Sequence, residues 1–259
     1  MPRRPVFDDP ELGPLTDDQL TRDVRVFQRA RGHRFSSDDV VTAYVAYRAA
    51  PSARRVLDLG CGLGSVLLHL AWKLPDAELV GIEAQAESFR LLERNVARSG
   101  FGPRIRIEHG DLREPDWPER LGARFELISG TPPYFPPDAA LDAQDRQRAL
   151  ARVEYRGGIE AYIGAGAKLL DATGALVVCG DARALQRTTL AARAAGLSIQ
   201  SRCDVVARAD RDPLFSVWTL RFDTGSFCLE TLTLRDAAGA PTSDALALKE
   251  FSGIARMSS

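Results

Sequence analysis

The chain has 259 residues, with 34 basic and 35 acidic side chains, a net charge of −1, 45% hydrophobic and 27% charged residues. This is the composition of a soluble globular protein long enough for one α/β domain with extensions. It excludes a membrane-spanning segment, because no apolar run is long enough, and a disulfide framework, because Cys61, Cys179, Cys203 and Cys228 show no paired spacing.

The start, Met1-Pro2-Arg3-Arg4-Pro5, lacks the apolar centre of a secretion signal, and a cytoplasmic protein with free thiols is expected. Residues 1 to about 20 are rich in Pro, Asp and Arg and read as surface text. Leu20, Val24 and Phe27 are spaced by four and three, which predicts a helical extension within residues 1–53. Gly32 ends it in the polar loop 29–38, where Ser37 or Asp38 can cap a second helix carrying Val40, Val41, Tyr44 and Val45 to Pro51.

Seven strands are predicted next, at 55–59, 78–82, 104–109, 125–129, 175–179, 198–206 and 215–222. Helical periodicity separates most of them. Leu63, Val66, Leu67, Leu70 and Leu74 share one face; Phe89, Leu92 and Val96 share another, closed by Gly100. Further helices are expected over 159–170 and 182–195. The alternation predicts an α/β fold with a doubly wound, mostly parallel sheet over 54–222. The last two strands have no helix between them and should pair antiparallel as a terminal hairpin. The tail, 223–259, is expected to add a strand near 227–235 and a short helix near 243–251.

In an open α/β sheet, ligands bind beyond the carboxyl ends of the strands. That rule selects four stretches. Asp58-Leu59-Gly60-Cys61-Gly62-Leu63-Gly64 follows the first strand of the domain and opens a helix. Its glycines let backbone approach a ligand closely. The missing Lys-Ser/Thr ending argues against a nucleoside triphosphate loop, though a tight turn in another kind of α/β protein has the same form. Glu83 ends the second strand, where an acid can accept from both ribose hydroxyls of a nucleoside or simply face solvent. Asp111, followed by Leu112, ends the third; it is either a ligand acceptor or a helix N-cap. Thr131-Pro132-Pro133-Tyr134-Phe135 follows the fourth, and its prolines stiffen either a binding loop with an aromatic stacking face or a surface turn. Three scattered histidines offer no metal-ligand spacing, so no metal is expected.

The glycine stretch resembles motif I of class I S-adenosylmethionine-dependent methyltransferases, and 131–134 resembles the Asn-Pro-Pro-Tyr motif of those that modify exocyclic or amide nitrogens, with Thr131 in place of Asn. Arg34-Phe35-Ser36-Ser37-Asp38, with Leu232-Thr233-Leu234-Arg235 and Leu248-Lys249-Glu250-Phe251 in the tail, is similar to the bacterial tRNA1(Val) adenine-N6-methyltransferase family. The likeness runs from about residue 25 to 251. It implies a Rossmann-like fold, S-adenosyl-L-methionine as cofactor, a tRNA substrate and no membrane partner, and a monomer is expected. By this resemblance Arg34, Ser36, Asp38, Asp58, Gly60, Gly62, Gly64, Glu83, Asp111 and Leu112 would hold the cofactor. Thr131, Pro132 and Tyr134 would act on the target base, with Pro133 and Phe135 beside it, and Phe35 would border the cofactor and target pocket. Arg29 and Arg31 would meet RNA phosphates. The alternatives are a methyltransferase acting on a small molecule or protein side chain, which Thr131 and the neutral charge balance favour, and a non-catalytic cofactor- or RNA-binding module.

Overall fold

In the computed structural model, which describes residues 7–134 and 157–254, strands β4 (Arg55–Leu59), β5 (Glu78–Glu83), β6 (Ile105–His109), β7 (Phe125–Gly130) and β8 (Leu170–Gly180) build a parallel core. Antiparallel β10 (Phe215–Arg221) pairs with both β8 and β9 (Ser198–Val206), which is the expected hairpin. With β11 (Cys228–Thr233) at one edge, the sheet order is β11-β9-β10-β8-β7-β4-β5-β6. It has eight strands rather than seven, because the tail strand β11 joins the same sheet parallel to β9.

The central strands read as near-continuous apolar runs because both faces are covered. Alternation sorts them. Val56, Leu127 and Val177 enter one core with α1 (Ser37–Ala49), α2 (Ser65–Lys73) and α3 (Ala86–Ser99). Leu57, Ile128 and Val178 enter the other, with Trp117 of α4 (Trp117–Leu121), Tyr162 and Ile163 of α5 (Ile159–Leu169) and Ala192 of α6 (Leu185–Ala194). The tail helix α7 (Ser243–Phe251) sends Phe251 against Tyr44, Tyr47 and the His69 ring. His69 is fully buried, bonded to the Ser65 carbonyl and the Ser252 hydroxyl at 3.1 Å each. Burial pulls its pKa down to about 4.

The helical extension expected near residue 20 is absent. Residues 7–29 instead form a three-stranded antiparallel sheet of β1 (Phe7–Asp9), β2 (Gly13–Gln19) and β3 (Arg25–Arg29). The spacing of Leu20, Val24 and Phe27 fits a helix, but Val24, Val26 and Gln28 are the buried set, and their period is two. The Asn95 side chain of α3 fixes this sheet to the domain. It accepts from the Phe27 N–H at 2.7 Å and donates to the Phe27 and Leu63 carbonyls.

Candidate functional site

The carboxyl ends of β7, β4, β5 and β6 stand side by side in that order, and each delivers one of the four stretches. Thr131, Gly60, Glu83 and Asp111 therefore lie in a row. At the usual strand separation of about 4.8 Å, the row is long enough for an extended nucleoside-containing ligand. They line one cleft of about 820 Å³, counting its open mouth, together with Gly62, Leu112, Pro133, His33, Phe35 and Asp39.

The glycine turn follows from positive φ at Gly60 (58°), Gly62 (58°) and Gly64 (94°), a region that side chains disfavour. A Cβ on Gly60 would stand 2.1 Å from the Tyr162 hydroxyl, whereas one on Gly62 would meet nothing within 4 Å. Gly62 thus presents bare backbone to open space. Glu83 is 5% exposed, and its carboxylate is oriented by two backbone donors, Gly62 N–H at 2.8 Å and Gln85 N–H at 2.7 Å. Its main-chain carbonyl accepts from Gly110 N–H at 3.1 Å, which ties the β6 loop to β5. An acid fixed in this way suits a pair of vicinal hydroxyls, and the bare backbone beside it suits a close-fitting ligand. Gly60, Gly62, Glu83, Asp111 and Leu112 could hold S-adenosylmethionine on those grounds.

The remaining sequence-selected residues are placed differently. Asp58 lies beneath the turn, 1% exposed, and accepts the Ser129 hydroxyl at 2.7 Å rather than lining the cleft. Gly64 faces Leu92 of α3, where a Cβ would stand 2.8 Å from the Leu92 side chain. Arg34 turns away into the N-terminal sheet, paired to buried Asp18 and donating to the Thr16 hydroxyl at 2.7 Å. Asp18 also accepts from Gln28, whose carbonyl oxygen receives the Phe35 N–H at 2.8 Å. Arg34 therefore braces the loop that carries His33 and Phe35 into the cleft. Ser36 precedes α1, with its N–H on the Asp39 carboxylate at 2.9 Å.

Asp38 accepts the Tyr134 hydroxyl at 3.4 Å, and Tyr134 packs against the core with α1. Neither Tyr134 nor Pro132 lines the cleft; its apolar surfaces at this end are Phe35 and Pro133. Arg29 donates to the Leu12 carbonyl at 3.1 Å, while Arg31 is exposed. Phe135 lies outside the described residues. Among those residues, no group of three metal-ligating side chains occurs, and no helix is long and apolar enough to cross a membrane.

Among the cleft residues that sequence reasoning missed, Tyr162 and Asp39 stand out. Tyr162 reads as one more apolar position on the α5 face, and only the fold brings its hydroxyl under Gly60. Asp39 has no signal in the sequence that separates it from Asp38 beside it. Here it is 7% exposed, with its Oδ1 receiving the Ser65 hydroxyl at 2.8 Å. Its neighbour Asp38 was selected instead.

Burial pushes the Asp58 carboxyl up to about 7, with the Glu83 charge adding to it. A folded pKa above the unfolded value of 3.8 means that the folded state keeps a proton the unfolded state has lost. This group's contribution is therefore fully present below about pH 4 and is lost as pH rises through about 7. Asp58→Asn removes that dependence. The melting temperature of the ligand-free variant should gain on wild type between about pH 5 and about pH 8, by an amount equivalent to a few kcal/mol. The constant cost of burying an amide cancels in that difference. A wild-type-minus-variant difference that stays flat across this range in thermal melts would count against an ionising Asp58.

A family profile described as Methyltransferase domain matches residues 56–153. Over 123 residues the chain is 37% identical to a tRNA1(Val) (adenine(37)-N6)-methyltransferase of Porphyromonas gingivalis, covering 47% of this chain and 48% of that one. It is 41% identical over 124 residues to a release factor glutamine methyltransferase of Geobacter sulfurreducens, covering 48% and 40%. The chain spans about half the length of these curated relatives. Among solved structures, an O-methyltransferase of Agrobacterium tumefaciens, itself predicted as such, superposes with a TM-score of 0.62 at 17% identity, over 84% of this chain and 97% of that chain. The likeness at that identity is one of fold.

Proposed function

We propose, for a chain whose residues 56–153 match a profile described as Methyltransferase domain, an S-adenosylmethionine-dependent methyltransferase whose acceptor is the exocyclic N6 of an adenine in tRNA. The observation that carries the reading is the shared cleft. The Thr131–Pro133 loop opens into the same space as Gly60, Gly62 and Glu83. Methyl acceptor and methyl donor would then meet across adjacent strand ends.

When bound, S-adenosylmethionine supplies an electrophilic methyl group on a sulfonium. Glu83 would accept from the ribose hydroxyls, and Asp111 with Leu112 would border the adenine. At the other end the Thr131 hydroxyl, which lines the cleft, would accept from the target amino group, while Pro132, which does not, would set the course of the loop. Withdrawing its hydrogens in this way frees the nitrogen lone pair for in-line attack, and the proton leaves afterwards, so no strong base is required. Phe35 and Pro133 would sandwich the target base where the sequence alone suggests Tyr134. Arg31 remains a candidate for phosphate contact; Arg29 and Arg34 hold the N-terminal sheet and the loop. Support for the acceptor comes from relatives named for adenine N6 in tRNA at 27–37% identity.

Thr131→Asn tests the acceptor. The Thr131 hydroxyl sits on a shorter arm than an Asn carboxamide, and one weakened hydrogen bond in the transition state costs about 1–3 kcal/mol. The variant should therefore methylate unmodified tRNA about ten- to a hundredfold faster than wild type in a timed radiolabel assay. The glutamine methyltransferase likeness favours a second reading, a protein amide nitrogen. If neither form labels RNA while wild type labels a release factor, that reading replaces the first.

A further inference from the structure

A target NH2 group, on an adenine or on an amide, carries two hydrogens, and each needs an acceptor if the nitrogen lone pair is to turn toward the methyl. The Thr131 hydroxyl lines the cleft and can take one; Pro132 does not line it. The carboxylates of the cleft are engaged by their own neighbours. Glu83 is held at β5 by the Gly62 and Gln85 N–H groups, and Asp111 at β6 is paired to Arg113 at 2.7 Å. Asp39 accepts from the Ser65 hydroxyl at 2.8 Å and from the Ser36 N–H at 2.9 Å.

The loop before α1 supplies the other candidate. His33 and Phe35 both line the cleft, while Arg34 between them turns the opposite way, to Asp18 and to the Thr16 hydroxyl at 2.7 Å. That is the alternation of extended backbone. The Phe35 N–H is fixed on the Gln28 side-chain oxygen at 2.8 Å. Just beyond, Asp38 accepts the Tyr134 hydroxyl at 3.4 Å, which ties this segment to the loop that carries Thr131. His33 thus shares the acceptor end with Thr131, Phe35 and Pro133. A neutral imidazole has one acceptor nitrogen, and it is the side chain that most readily gains and loses a proton near neutral pH.

We propose that the imidazole of His33 accepts the second hydrogen of the target amino group and removes the proton that leaves once the methyl is attached. The assignment rests on the methyltransferase reading above and holds for either acceptor, adenine N6 or an amide nitrogen. The bond between nitrogen and the methyl carbon forms from the nitrogen lone pair. The bond between that carbon and sulfur breaks with its pair to sulfur, leaving a neutral thioether. The nitrogen, now positively charged, gives one proton to His33, which passes it to solvent. An imidazole is base enough for this, because a nitrogen that bears the new methyl and the charge is strongly acidic.

The test times radiolabel transfer by the full chain to unmodified tRNA, or to the release factor where wild type labels that instead. His33→Phe keeps a planar ring without the acceptor and should lower kcat about ten- to a hundredfold, with the calorimetric affinity for S-adenosylmethionine unchanged. His33→Gln keeps an acceptor but cannot take the proton, so its kcat should fall between the two. Protonation of the imidazole fills its acceptor position, so wild-type kcat should fall toward acid pH, and that limb should be shallower in His33→Gln. Asp39, pushed up to about 7 chiefly by burial, titrates in the same range but is present in both forms. Cys61 and Tyr162 of the cleft are pushed upward by burial and stay protonated, and Glu83, Asp111 and the flanking Arg34 and Asp38 are likewise common to both. A second readout needs no turnover. The chain has three histidines, so the His33 imidazole signal in a proton magnetic resonance spectrum is assigned by its loss in His33→Gln. It should move when the unmethylated substrate joins the complex with the demethylated cofactor. Unchanged kcat in both variants, a loss of cofactor affinity in both, or an imidazole signal that ignores the substrate overturns the proposal. If His33→Phe does not fold, His33→Gln and the imidazole signal decide. If wild type labels neither RNA nor release factor, the methyltransferase reading itself fails.

Discussion

Glu83→Ala should lower affinity for S-adenosylmethionine and for its demethylated product by at least about a hundredfold. A carboxylate accepting from two hydroxyls contributes two charge-assisted hydrogen bonds, each about 1.5–3 kcal/mol. The alanine also leaves the Gly62 and Gln85 N–H groups without the acceptor that orients them in the ligand-free protein. The turn then loses part of its preorganisation, and the melting temperature should fall by a few degrees, since each orphaned buried donor costs about 1–3 kcal/mol. Glu83→Gln keeps acceptor capacity without the charge and should fall between the two. Titration calorimetry and thermal melts separate the contributions. Unchanged affinity in Glu83→Ala would remove this residue from the ligand site.

Gly60→Ala and Gly62→Ala should part company although their backbones match. Both sit at φ of 58°, so both alanines carry the left-handed cost of about 1–2 kcal/mol. Only at Gly60 does the new Cβ collide, 2.1 Å from the Tyr162 hydroxyl and 2.9 Å from the ring carbon that bears it. Tyr162 is 7% exposed and packed in the α5-side core, so the ring has little room to retreat. Overpacking of this kind adds about 1–3 kcal/mol. Gly60→Ala should therefore be the less stable of the two in denaturant titrations. Tyr162→Phe, which deletes the nearest atom, should recover part of that loss in a double-mutant cycle. Gly62→Ala should lose only the backbone cost in stability and should lose ligand affinity, because its methyl enters the open cleft. Equal stability of the two alanine variants, with no coupling to Tyr162, would mean that the turn has more freedom than these contacts allow.

The domain from β4 to β10 was legible because its signals are local. Apolar runs of strand length, helical stripes closed by Gly100, and glycines followed by a stripe depend on neighbours in the chain. The pairing of β10 with β9 followed from a connection too short to hold a crossover helix. The N-terminal sheet was not legible, since Leu20, Val24 and Phe27 satisfy a helical spacing as well as a strand that turns a corner. What decided it was an anchor far along the chain: Asn95 on α3 takes up the Phe27 main-chain groups.

The candidate site divides along the same line. Sequence by itself determined which strand ends bear Gly60, Glu83, Asp111 and Thr131, because one residue type at the end of one strand is a local pattern. Only the tertiary structure decided their order across the sheet, which is set by hydrogen bonding between strands distant in sequence. It also turned Asp39 inward, since α1 packs on α2 and closes that carboxylate against Ser65. It turned Arg34 away from the cleft toward Asp18, 16 residues earlier in the chain. A charged side chain goes where its counter-charge and hydrogen-bond partners stand, and those partners here belong to elements that the local text does not connect.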